Sequence, residues 1–228
     1  MSEDRWIPLE ANPEVMDAFI HRLGVNDKWT CADVYSLDEE MLMMVPRPVL
    51  AVFMVYPITD KSETELIGKY SPNETDLKGG KLYFMQQTIG NACGTVALVH
   101  AVANNCEQLG VDPNSTFGKF IDGSKTLPPI ERCKLLGSNK ALSDAHGDLS
   151  VQGQSDVPPP ETCTNLHFVA FINHNGTLYE MDGRKEAPVE HRPTTSDTVL
   201  EDTVAVVKQF IERDPKLITF SLIALCQA

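Results

Sequence analysis

Apolar positions recur along the chain in different rhythms, and each rhythm predicts a different kind of element. Val15, Phe19, Ile20 and Leu23 fall at helical spacing behind Asn12-Pro13-Glu14, which offers a capping side chain, a proline at the first helical position and an acid in the first turn. Gly24 supplies the stop. Residues 49–56 form an unbroken apolar run closed by Pro57, the pattern of a buried central strand. The apolar, alanine-bearing run over 96–103 is too long for a typical strand and follows the polar approach Gln87-Thr88-Ile89-Gly90-Asn91-Ala92, so it predicts a buried helix opening at or near Cys93. A short helix is predicted over 38–44, with Met41, Met43 and Met44 as core filler, and further short helices over 115–121, 129–136 and 139–146. The stretch 81–85 re-enters the core. Two strand-like runs, 166–172 and 177–182, flank Asn175-Gly176, a strong short hairpin signal. A long amphipathic helix capped by Ser196 and carrying Val204, Val207, Phe210 and Ile211 follows, then an apolar strand over 217–225. Helices mixed with hairpin-linked strands predict an α+β fold.

Between these elements, 58–80 reads as a polar surface connection with at most a little helix. The segment 147–163, rich in Gly, Ser, Asp, Gln and Pro, is either a linker or a lid. No composition shift divides the 228 residues, and 42% hydrophobic residues suffice for a proper core, so one domain over 1–228 is expected. The first residues lack the basic-then-apolar signature of a signal peptide, and no run approaches the roughly 18 apolar residues of a membrane span. A protein of the cytoplasm, and of the nucleus as a second location, is the expectation. The six cysteines are scattered without the close pairing of a zinc half-site, so they read as reduced thiols, with no metal and no cofactor. A formal net charge of −13 argues against nucleic acid and for solubility or a partner with a basic face.

Charge alone does not choose between those two, but the chemistry-bearing residues narrow the field. A thiol at a helix N-terminus sits among unpaired N–H groups at the positive end of the macrodipole, which favours the thiolate. Cys93 is therefore a candidate nucleophile; the plainer alternative is a small buried hydrophobe. A cysteine nucleophile needs a base and a group that orients the base. If Asn175-Gly176 forms a two-residue type I′ turn, His174 faces Thr177, and counting back sets His167 opposite Arg184 and Val169 opposite Asp182. His167 and Asp182 are then diagonal neighbours on one face. A loop one residue longer would place them on opposite faces. His100 reads as a core histidine, while His21, His146, His174 and His191 read as solvated. Asp182 by itself could instead cap Gly183-Arg184 in a turn. Gln87, with its side-chain amide beside the N–H of Cys93, offers an oxyanion hole, or else is a loop residue bonded to backbone.

Gln87-Thr88-Ile89-Gly90-Asn91-Ala92-Cys93-Gly94-Thr95, Leu166-His167-Phe168 and Leu178-Tyr179-Glu180-Met181-Asp182-Gly183-Arg184 resemble the three active-site motifs of the ubiquitin C-terminal hydrolases. The resemblance extends to Trp6-Ile7-Pro8-Leu9-Glu10-Ala11-Asn12-Pro13-Glu14, Val45-Pro46-Arg47-Pro48, Gly153-Gln154 and Glu212-Arg213-Asp214-Pro215, and the length is similar to that of the short members without a C-terminal extension. It implies a papain-like cysteine peptidase fold: a six-stranded antiparallel sheet flanked by helices, on a backbone that is knotted in that family, against the general rule. It implies Cys93 as nucleophile, His167 as general base and acid, Asp182 as its orienter and Gln87 as oxyanion donor. It also makes 147–163 a crossover loop over the active site.

The implied activity is removal of small amide, ester or thioester adducts and short peptides from the C-terminal glycine of ubiquitin or of a close ubiquitin-like protein, by a monomer. An acidic entrance would steer the basic ubiquitin tail. Leu9, Glu10, Glu14, Asp33, Gly153, Gln154 and Leu166 are the expected substrate contacts. Two rivals stand beside this reading. One is a Cys-His-Asp acyltransferase such as an arylamine N-acetyltransferase; the other is a ubiquitin-binding protein that sequesters free ubiquitin behind a latent triad.

Overall fold

The computed structural model describes residues 5–72, 82–154, 156, 158–159, 162, 164–215 and 219–228; Lys81, Ser155, Val157, Pro160, Glu161, Cys163 and Leu217 of the stretches discussed above lie outside them. A mixed α+β chain builds one antiparallel sheet. Its strands are β1 (Trp29–Asp33), β2 (Val49–Pro57), β3 (Lys69–Tyr70), β4 (Leu166–His174), β5 (Thr177–Met181), β6 (Val189–Pro193) and β7 (Ser221–Gln227), in the order β1-β7-β2-β4-β5-β6-β3. That is seven strands where six were expected. The two-residue β3 is exposed and pairs only with β6, so it is too short to carry an alternation that could be read.

The alternation along the central strands divides the core. Ala51, Phe53 and Val55 of β2, with Phe168, Ala170 and Ile172 of β4, face a helical layer made of α1 (Pro13–Leu23), α4 (Cys93–Asn104), α6 (Thr116–Ser124), α7 (Pro129–Ser138) and α8 (Lys140–Ser150). Val52, Met54 and Tyr56, with Val169 and Phe171, face α9 (Val199–Arg213) on the other side. The period of two is what lets one strand serve two cores. α4 is covered all round: every residue from Gly94 to Val102 is buried. Burial of Val96, Leu98, Val99 and Val102, at about 1.5–3 kcal/mol for each side chain, outweighs the weak helix propensity of its β-branched residues.

Several boundaries differ from the sequence expectation, each for a physical reason. α8 runs on through Ser150 because Leu142, Ala145, His146 and Leu149 continue the helical spacing inward, so the loop begins at Val151 rather than at Gly147. α9 opens after Thr198, not Ser196, and has no side-chain cap. The helix around Met41 is the single turn α2 (Glu39–Leu42), which buries only Leu42; Met43 and Met44 are 74% and 77% exposed, so the methionines are not core filler. The polar connection after β2 holds the short α3 (Asp60–Thr64). The alternation did not point to β1, β6 or the short α5 (Cys106–Leu109). Leu82–Met85 are buried without being a strand: Asn104 accepts from the Tyr83 N–H at 2.8 Å and His100 from the Met85 N–H at 2.9 Å. Among the described residues, no helix is long and apolar enough to cross a membrane.

Candidate active site

Two structural layers converge at one end of the sheet. In the β4–β5 hairpin, His174 pairs with Thr177 and Ala170 with Met181, while Asn175 and Gly176 both take positive φ, at 51° and 82°. This is the two-residue turn that the diagonal placement of His167 and Asp182 required. His167 Nε2–H donates to Asp182 Oδ1 at 2.6 Å, with both side chains about 95% buried. The backbone N–H of Arg184 donates to the same oxygen at 2.9 Å. Tyr56 of β2 stands edge-on to the imidazole, centroids 6.0 Å apart. With Nε2 committed, Nδ1 is the ring atom left for Cys93, whose thiol the neighbouring imidazole lowers.

Cys93 opens α4 from the opposite layer, partly exposed, at a helix start without a side-chain cap. Burial alone would raise its pKa. The hydrogen bond and charge of His167 outweigh that, joined by the backbone N–H groups of Phe168 and Gly94, and the pKa lies below the ordinary thiol value. For His167, burial works against the imidazolium, but the Asp182 carboxylate and Cys93 more than compensate and lift it to about 9. Asp182 is also buried, which would raise it; His167, Lys185 and the Arg184 N–H hold it at about 2. The two shifts move the pair towards thiolate and imidazolium, with the two protons leaving as properties of the pair.

Gln87 is tied to this centre through its backbone N–H, which donates to Gly183 O at 2.7 Å. Gly183 is needed there: a Cβ on it would lie 2.8 Å from Val96 Cγ1 and 3.2 Å from Gln87 Cβ. The Gln87 side-chain amide spends one N–H on Ile89 O at 2.9 Å, while its Oε1 is buried with no partner.

The residues expected around the site divide. Leu9 is buried against the start of α4, where a Cβ on Gly94 would sit 3.0 Å from Leu9 Cβ. Glu10 lies against Gly153 and Gln154: its Oε1 accepts from the Gln154 N–H at 3.1 Å, and a Cβ on Gly153 would collide with its carboxylate. Leu166, next to His167, is 48% exposed. Glu14 is exposed in the first turn of α1, and Asp33 shares a groove of about 510 Å³ with Pro13, Tyr35 and Met44. Glu14 and Asp33 are thus grouped with α1 and β1, not with the His167–Asp182 pair.

Two histidines expected to be solvated are not. His146 is buried in α8, bonded to Thr95 Oγ1 at 2.8 Å and to Ile7 O at 2.7 Å, and packed on Trp6. His191 of β6 is buried against Glu180. Helix continuation and strand pairing, neither of which marks a lone histidine in sequence, put them inside. His100 is the core histidine expected, bonded to Met85 and Met181. Lys185 and Glu180 adjoin the triad and were missed; the only sequence signal was a Lys three residues after the proposed orienter.

The family described as "Ubiquitin carboxyl-terminal hydrolase, family 1" matches residues 6–212. The chain belongs to this family. A ubiquitin carboxyl-terminal hydrolase of Aplysia californica is 46% identical over 95% of this chain and 99% of its own length. The human isozyme L1 is 38% identical over 97% of this chain and 98% of its own. Among solved structures, the Trichinella spiralis UCH37 catalytic domain bound to ubiquitin vinyl methyl ester superposes with a TM-score of 0.80 at 23% identity, covering 100% of this chain and 98% of that one, a likeness of fold. Membership of this cysteine peptidase family gives the Cys93–His167–Asp182 row a chemical context that geometry alone leaves wider.

Proposed function

We propose that this protein is a deubiquitinating thiol hydrolase that cleaves the bond after the C-terminal glycine of ubiquitin or a close ubiquitin-like protein. The observation that carries the reading is the buried His167–Asp182 hydrogen bond with the lowered Cys93 thiol beside it. The Cys93 thiolate attacks the scissile carbonyl. The carbonyl π electrons move to oxygen, where the Cys93 N–H and the second N–H of the Gln87 amide meet the developing charge. As the tetrahedral intermediate collapses, the imidazolium of His167 gives its Nδ1 proton to the departing amine, thiol or alcohol. Neutral His167 then takes a proton from water, hydroxide adds to the thioester, and the thiolate leaves again. Asp182 holds the ring through Nε2 throughout.

A terminus of two glycines suits a narrow approach, since side chains would clash there. The segment 151–165 is read as a crossover loop, and the acidic chain as an attraction for the basic ubiquitin tail. All triad members come from one chain, which supports action as a monomer and a single catalytic domain. The described cysteines are free thiols, in keeping with a reducing compartment, cytoplasm or nucleus. The His167–Asp182 bond, already formed beside a lowered Cys93 thiol, favours turnover over sequestration by a latent site.

The test is hydrolysis of a ubiquitin C-terminal fluorogenic amide by wild type and Cys93→Ala, with ubiquitin affinity measured in parallel. Loss of turnover with binding retained is expected; substantial activity in Cys93→Ala would remove the nucleophile assignment.

A further inference from the structure

Behind the triad, away from Cys93, a second set of charges is built into the β5–β6 region. Glu180, on β5 two residues before Asp182, is fully buried on the face that packs under α9. Lys185 Nζ donates to its Oε1 at 2.5 Å, and His191 Nε2–H from β6 donates to its Oε2 at 2.9 Å. The same Lys185 Nζ lies 3.9 Å from Asp182 Oδ2, the carboxylate oxygen that His167 does not use. Lys185 is itself mostly buried, its side chain 18% exposed, and the Lys185 backbone N–H donates to Asp182 O at 3.0 Å. Charges therefore alternate in space from Cys93 through His167, Asp182 and Lys185 to Glu180.

We propose that Lys185, anchored from behind by buried Glu180, is a positioning residue for the Cys93–His167–Asp182 row, fixing the free oxygen of Asp182 and setting the charge balance that His167 and Cys93 feel. This deepens the hydrolase reading and rests on it. A lysine with three donors can hold Glu180 and still lean on Asp182, and a buried carboxylate such as Glu180 is tolerated only when paired. Both groups respond accordingly. Burial alone would raise Glu180 and lower Lys185, yet their mutual attraction, with His191 on Glu180 and Asp182 on Lys185, holds Glu180 low and Lys185 high. Further titratable and charged neighbours face the set: Tyr56 of β2, Glu63 of α3, Tyr70 of β3, His100 of α4, Arg213 of α9, and Arg184 and Glu186 in the turn after Asp182.

The test reads the thiolate directly and needs no ubiquitin. On the full chain, the rate of Cys93 carboxamidomethylation by iodoacetamide is followed against pH by peptide mass for wild type, Lys185→Met, Lys185→Arg, Glu180→Gln and the Lys185→Met/Glu180→Gln double variant. Removing the cation leaves Glu180 uncompensated, so the Cys93 midpoint in Lys185→Met should move up by about half a unit to one unit. Glu180→Gln leaves Lys185 to act on Asp182 alone and should move the midpoint down by a similar amount. Lys185→Arg and the double variant should stay close to wild type. A merely structural role would loosen the His167–Asp182 contact and push both single variants up together. Midpoints that move in the same direction, or not at all, would overturn the inference. Glu180→Gln, which changes one atom, keeps the test decisive if Lys185→Met does not fold. A wild-type midpoint at the ordinary thiol value would overturn the hydrolase reading and this inference with it. A depressed wild-type midpoint with unmoved variants would overturn the role of Lys185 alone.

Discussion

His167 acts as the hinge of the account at the scale of single residues, because its two nitrogens face partners from two different layers. One faces the carboxylate of Asp182 and the other faces Cys93. Asp182→Asn replaces the charge but keeps the shape, so His167 loses the partner that lifts it to about 9 and Cys93 loses part of what lowers it. Turnover of a ubiquitin amide should fall about 10²-fold, within the range for a disturbed acid–base group, and remain measurable. The bell-shaped pH profile should narrow from both sides. Stability follows with a definite sign. Asp182 is depressed to about 2 from 3.8, so its contribution is complete above pH 3.8 and is lost as pH falls through about 2. His167 is raised from 6.5 to about 9, so its contribution is complete below pH 6.5 and is lost as pH rises through about 9. The Tm gap between wild type and Asp182→Asn should be widest between about pH 4 and 6.5 and close towards both ends; a gap independent of pH would mean that the contact carries no charge.

Elements show which parts of this were legible in the amino-acid sequence. The β4–β5 register was readable because Asn175-Gly176 leaves few ways to turn, and the helix that Cys93 opens because its apolar run is broken only by His100. The burial of His191 and the whole of β3 and β6 were not readable, since a two-residue pairing or a mixed-polarity strand such as Val-Glu-His-Arg-Pro has no alternation. The length of α8 was missed because Gly147 suggested a stop where Leu149 still points inward. The loop after it shows the same lesson at its ends. Its polar text reads as free chain, yet Glu10 holds the Gln154 N–H, and Asn91 Nδ2 donates to Trp6 O at 3.1 Å and to Thr162 O at 3.2 Å. Between Gln154 and Thr162 the chain can span at most about 29 Å even if fully extended. A loop of that contour reaches out at most about 15 Å from its anchors, narrower than a small folded domain of roughly 30 Å. The proposed crossover loop should therefore admit peptides, amines and thiols but exclude folded leaving groups. Inserting ten Gly/Ser residues beside Asp156, clear of both clamps, should raise diubiquitin cleavage at least tenfold while ubiquitin-peptide cleavage changes little, because closure entropy grows slowly with length. Equal diubiquitin rates before and after insertion would show that the loop does not select by size.

The whole molecule brings the pieces together by packing its helical layer and α9 on opposite faces of one sheet. His167 falls on a β4 register position facing α9, Asp182 follows directly after β5, and Cys93 starts the helix packed on the other face, so the three meet only when both layers are docked. Family membership points to ubiquitin as the substrate, and the net charge of −13 is compatible with the proposed attraction for a basic partner. In the proposed reaction, this assembled row attacks the ubiquitin terminus through Cys93. That attack is tested most directly by incubating the protein with ubiquitin bearing a thiol-reactive C-terminal electrophile and mapping the product by mass spectrometry. A stable one-to-one adduct on Cys93, absent in Cys93→Ala, is expected. Ubiquitin bound without any adduct, or an adduct formed on another cysteine and retained in Cys93→Ala, would contradict it.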